Sequence, residues 1–84
     1  MSTDMFEEVI ENLLNIENDT SIPKNVRLRI RSAIDILNDS QEVNVGLKVD
    51  KSLEALSNVA DDPNIPQYTR MQIWSALSQL ENRQ

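Results

Sequence analysis

The feature that most constrains this chain is an internal repeat. Residues 13–37, LLNIENDTSIPKNVRLRIRSAIDIL, align without a gap on residues 56–80, LSNVADDPNIPQYTRMQIWSALSQL, at an offset of 43. Ten of the 25 aligned positions are identical, among them Asp19/Asp62, Ile22/Ile65, Pro23/Pro66, Arg27/Arg70, Ile30/Ile73, Ala33/Ala76 and Leu37/Leu80. Others exchange like for like, such as Ile16/Val59, Leu28/Met71 and Ile34/Leu77. A fixed period of this kind means that one supersecondary unit is used twice, neither copy burying its apolar face alone. The chain of 84 residues then reads as one domain, 1–84, made of two units, 1–39 and 40–84.

Apolar spacing makes each unit a helix, a loop and a second helix. Met5, Phe6, Val9, Ile10, Leu13, Leu14 and Ile16 form a broad stripe at helical period over about 4–18, and Asp4 with Glu7 fits a capping box at its start. Ile30, Ala33, Ile34 and Leu37 share one face of a second helix over about 23–38. Val45, Val49, Leu53, Leu56 and Ala60 line a third over about 40–60, with Asp39 and Glu42 as a second capping box. Ile73, Ala76, Leu77 and Leu80 repeat the second pattern over about 66–82. Pro23 and Pro66 mark helix starts, because proline suits a first helical turn and disfavours helix in the residue before it. Gly46 falls within the third helical segment, where it costs roughly 1 kcal/mol relative to alanine. Close approach of a neighbouring helix would account for it; a helix starting after it is the alternative. Four wide stripes predict an all-α, compact four-helix bundle, with two stacked hairpins as the alternative architecture.

Composition excludes several chemistries. The chain has no Cys and no His, so it offers no disulfide framework, no thiolate nucleophile and no imidazole base or metal ligand. No phosphate-cradling glycine loop or nucleophile motif is present, and adjacent Asp61 and Asp62 are poorly placed to converge as an acid/base pair or metal site. The expectation is a protein that is not an enzyme and uses neither a cofactor nor a metal. The N-terminal MSTDMFEEV lacks the basic and long apolar segments of a signal peptide, and no apolar run reaches the length of a membrane span. A cytoplasmic protein without membrane contact is expected.

Charge is unevenly spread. The net charge is −6, which opposes non-specific nucleic-acid binding. Residues 1–19 carry six acids and no base, whereas residues 20–34 carry Lys24, Arg27, Arg29 and Arg31 and no acid. Antiparallel neighbours would set these blocks face to face. Lys24, Arg27 and Arg31 lie on one side of the second helix near its N-terminus, where an anion or RNA phosphate could bind. Only Arg27 has a counterpart, Arg70, in the second unit. Asp19 and Asp62 each precede that arginine by eight residues, so the pairs Asp19/Arg27 and Asp62/Arg70 are expected to pin the two loops. On the fourth helix Trp74 lies about 100° from Ile73 and Met71 about 160°, so Met71 points off the core stripe, and its counterpart Leu28 is apolar too. Leu28, Met71 and Trp74 are candidate protein contacts, because Trp and Met are enriched at interface centres; the flank of a wide core is the alternative.

The motif formed by an acidic loop, Ile-Pro-x-x-x-Arg and an Ser-Ala-containing helix occurs twice, as IPKNVRLRIRSA and IPQYTRMQIWSALSQL. It resembles a family of short, uncharacterised archaeal helical proteins. That resemblance implies a compact helical bundle, and it assigns no activity or site residues. A weaker likeness is to HEAT-type helical repeats, whose units carry an Asp followed by Val-Arg, as in Asp19 and Val26-Arg27. Tyr68-Thr69-Arg70 departs from that pattern. The functional expectation is a non-enzymatic module for binding a protein partner or itself, with an anion- or RNA-associated accessory role as the alternative.

Overall fold

A computed structural model describes residues 6–82. It contains four helices: α1 (Glu7–Glu17), α2 (Lys24–Leu37), α3 (Val45–Ala60) and α4 (Gln67–Glu81). Loops 18–23, 38–44 and 61–66 are short, so successive helices run antiparallel. α1 packs on α2, α2 on α3, α3 on α4, and α4 back on α1. Among the described residues the backbones of the diagonal pairs α1/α3 and α2/α4 do not come close to one another. Stacked hairpins would bring those diagonal pairs together, so the molecule is a closed four-helix ring.

The core fills the ring from all four sides. Val9, Leu13 and Ile16 of α1, Val26, Ile30, Ala33 and Leu37 of α2, Leu56 and Val59 of α3, and Ile73, Ala76 and Leu80 of α4 are buried in one cluster. Ile22 and Ile65, the residues before the two prolines, are also buried and plug one end. Fully burying a side chain of this size contributes roughly 1.5–3 kcal/mol. Both prolines stand one position outside their helices rather than at the first helical residue, with extended ψ of 145° at Pro23 and 155° at Pro66. From there the Pro23 carbonyl accepts from Val26 N–H and Arg27 N–H, and the Pro66 carbonyl accepts from Arg70 N–H.

Two expectations for α3 need correction. The helix starts at Val45, not near residue 40, because Asn44 is its cap and accepts from Leu47 N–H at 3.1 Å. Asp39 and Glu42 do not form a capping box; they accept from Gln41 N–H and Asn44 N–H inside the loop. Gly46 is thus in the first turn, and no helix approaches it: a Cβ there would meet only Asn44 Oδ1, at 3.4 Å. The box expected between Asp4 and Glu7 lies outside the described residues, as does Met5.

Positions 43 apart are mostly buried alike, with two informative exchanges. Val9 and Val26 of the first half correspond to Ser52 and Thr69 of the second, and all four are buried. The Ser52 hydroxyl has no hydrogen-bond partner. An unpaired buried hydroxyl is a cost without a gain. Ser52→Ala is therefore expected to raise the free energy of unfolding by about 1 kcal/mol, read as a higher urea midpoint at unchanged slope. A lower midpoint would show that the hydroxyl is bonded after all.

Candidate functional site

The Asp and Arg residues of the repeated motif occupy the loops, but they are not each other's main partners. Arg27 Nε donates to the Ile22 carbonyl at 3.1 Å. Arg70 reaches further, donating to the carbonyls of Ala60, Asp62 and Ile65. Each arginine thus folds back from the first turn of its helix and ties up main-chain oxygens of the loop before it. The carboxylates shape the same loops independently. Asp19 accepts from Ser21 N–H at 3.0 Å and Ser21 Oγ–H at 2.6 Å, and Asp62 accepts from Asn64 N–H at 2.8 Å. An Asp bonded to the N–H two residues on is a turn in its own right. The expected carboxylate–arginine contact is replaced by arginine–carbonyl contacts because the carboxylates are already committed and the carbonyls are not.

The hydrogen bonds from Ser21, first its hydroxyl and then its N–H, hold the Asp19 carboxyl below the usual carboxylate range; the Arg27 charge adds a smaller push in the same direction.

The basic residues of α2 are largely neutralised. Arg29 pairs with Asp62 at 3.1 Å, and so joins α2 to the loop between α3 and α4. Arg31 lies between Glu17, at 3.4 Å, and Asp35, also at 3.4 Å. With Arg27 turned to its carbonyl, Lys24 is the one member of the Lys24, Arg27, Arg31 stripe with no carboxylate or carbonyl partner among the described residues. Asp61 is exposed at the end of α3, and among the described residues no three acids converge on a metal-sized point.

The three apolar candidates are all exposed, but they do not form one patch. Leu28 is on α2 and Met71 and Trp74 are on α4, at opposite corners of the ring. Leu28 has Lys24, Arg31 and Ser32 three or four residues away on the same helix. On α4 the structure adds a residue that the sequence reading passed over: Tyr68 is 69% exposed, beside Met71 at 57% and Trp74 at 50%. These three lie at i, i+3 and i+6 and form a diagonal ridge across the outward face. Gln67, Ser75 and Ser78 fill the rest of that face. The spacing that puts Met71 opposite Ile73 puts Tyr68 on the same side as Met71. A second exposed group, Val43, Val45 and Leu47, sits at the start of α3 and was likewise not anticipated.

Between α4 and α1 runs a shallow cleft of about 100 Å³ lined by Asn12, Gln72 and Ser75. Asn12 Nδ2 donates to Gln79 Oε1 at 2.8 Å at its edge. The cleft is small and uncharged. No described helix is long and apolar enough to cross a membrane.

Comparison with known proteins agrees with this architecture. Residues 1–82 match the uncharacterised protein family UPF0147, and the chain belongs to that family. It is similar to the crystal structure of the unknown-function protein MMP1188, with a TM-score of 0.87 and 28% identity over 95% of this chain and 90% of that one. None of the curated proteins compared with it matches.

Two outcomes are expected from the loop geometry. Arg70→Met, which strips partners from three carbonyls, should destabilise the fold by about 1.5–3 kcal/mol, and Arg27→Met by less, in chemical unfolding. The lowered Asp19 value contributes stability that is complete above the unfolded carboxyl pKa of about 3.9 and is lost as pH falls through the folded one. Asp19→Asn should then lower the unfolding midpoint slightly at neutral pH and flatten its fall below about pH 4, so that the variant and the wild type converge in acid.

Proposed function

We propose that this member of UPF0147 is a non-enzymatic protein-interaction module that docks through the outward face of α4. The observation that carries the reading is the contrast between that face and the others. The outward faces of α1, α2 and α3 carry Glu7 and Glu11, Lys24 and Asp35, and Asp50 and Glu54. Between Gln67 and Leu80, α4 presents no ionised side chain outward; its one charge in that span, Arg70, is turned to the loop. Exposed Trp, Tyr and Met on an uncharged strip are the composition of an interface centre, where a few aromatic anchors dominate the binding energy. Scattered single apolar residues, as at Leu28, need no such explanation.

The anion- or RNA-associated alternative draws on fewer free groups than the sequence offers. Arg29 and Arg31 have carboxylate partners and Arg27 has a carbonyl, which leaves Lys24. One lysine is too little positive charge to hold a polyanion against a net charge of −6.

The test is capture from native lysate with three immobilised baits of equal helicity: wild type, Met71→Glu and Leu28→Glu. A discrete protein held by wild type and Leu28→Glu, lost at least about tenfold with Met71→Glu and indifferent to nuclease, is the expected result. Capture that nuclease abolishes, or that Met71→Glu leaves intact, overturns the reading.

A further inference from the structure

The placement of the three exposed side chains on α4 points to what covers them. Tyr68 and Trp74 are equidistant from Met71, three residues before it and three after. Residues three apart are neighbours on a helix surface, so the two aromatic side chains flank Met71 along the ridge. A two-fold contact can use such a ridge, because in it residue i meets j and j meets i. If two α4 helices cross antiparallel with the axis at Met71, Met71 meets its own copy. Tyr68 then meets Trp74 twice, and Gln67 meets Ser75 twice.

Charge selects the same occupant. Two chains of net charge −6 repel, and most outward faces would set carboxylates against carboxylates. Among the outward helix faces of the described residues, the one between Gln67 and Leu80 lets two copies approach without opposing ionised groups. A basic partner would instead be drawn to the acidic outward side of α1, with Glu7, Glu8 and Glu11. Resting on the reading of α4 as the docking face, we infer that its occupant is a second copy of this chain, held by an isologous, antiparallel α4–α4 contact centred on Met71.

The size of the ridge sets the strength. The two aromatic side chains carry roughly 150–250 Å² each, so with Met71 beside them, all half to two-thirds open, the ridge hides on the order of 300 Å² per copy. Even with the polar neighbours this stays at or below the roughly 800 Å² per partner of a standard stable interface. The dimer is therefore reversible, with dissociation in the micromolar range or weaker. Added salt strengthens it, because it screens the repulsion between like-charged bodies.

Sedimentation equilibrium of the full chain tests this from about 10 µM to about 1 mM. The expected mass rises from 9.6 kDa toward twice that value, and rises earlier at high salt. Met71→Glu, which opposes two carboxylates at the axis, should weaken association at least tenfold; Leu28→Glu, its counterpart on α2, should not. Because the chain has no native cysteine, Met71→Cys supplies one thiol at the axis. Under mild oxidation it should form a disulfide-linked dimer much faster than Leu28→Cys at the same concentration. Circular dichroism checks that every variant keeps its helices. A wild type that stays monomeric throughout overturns self-association, yet leaves α4 as a docking face, which capture from lysate tests separately. Association that Met71→Glu does not weaken, or equal linking by the two cysteine variants, overturns the assigned surface.

Discussion

The ends of the helices govern what this small bundle can be. Main-chain oxygens left over where one helix stops and the next begins cost free energy when they are shielded from water without a donor. Arg27 and Arg70 supply that donor from inside the next helix, so the loop and the helix that follows are fixed by one side chain. Ile22 and Ile65 are then held in the core just before each proline, and the helices have a defined direction of entry. Up-and-down topology puts both arginine-clamped loops, 18–23 and 61–66, at the same end of the ring. Loop 38–44 at the other end has no arginine; Asp39, Glu42 and Asn44 take up main-chain N–H groups there instead.

The same economy of charge explains the surface. Arg31 joins α2 to α1 through Glu17, and Arg29 joins α2 to the loop after α3 through Asp62. Exposed pairs of this sort add little each, about 0–1 kcal/mol, but they leave the guanidinium groups of α2 occupied. The acidic balance is carried by the outward sides of the other helices. α4, with glutamines, serines and three large apolar groups outward, differs from its repeat partner α2 mainly on this side, where Gln67 stands for Lys24, Trp74 for Arg31 and Ser78 for Asp35. The buried positions of the two helices match closely, apart from Thr69 for Val26 and the half-buried Leu77 for Ile34.

Much of the fold was legible because it rests on spacing. The 43-residue offset and the 3.6-residue stripes place all four helices, three of them within one to three residues at each described end. The start of α3 was misjudged because Asp39-x-x-Glu42 imitates a capping box, and only packing shows that Asn44 does the capping. The arginines were recognised as loop clamps, but their acceptors were not, since a sequence displays carboxylates and hides carbonyls. Tyr68 was legible by the same spacing that puts Met71 opposite Ile73, since it lies three residues before Met71 on the same side; its exposure makes it part of the ridge.

A ring in which every helix lies directly beside just its two neighbours has no privileged beginning. α1 and α4 form a wall as real as the other three, and Asn12, halfway along α1, meets Gln79 near the end of α4. Linking the end of α4 to the start of α1 and opening loop 38–44 would leave all four walls in place, with the helices threaded in a new order. Connectivity in such a molecule is bookkeeping, and the identity of the fold resides in the walls.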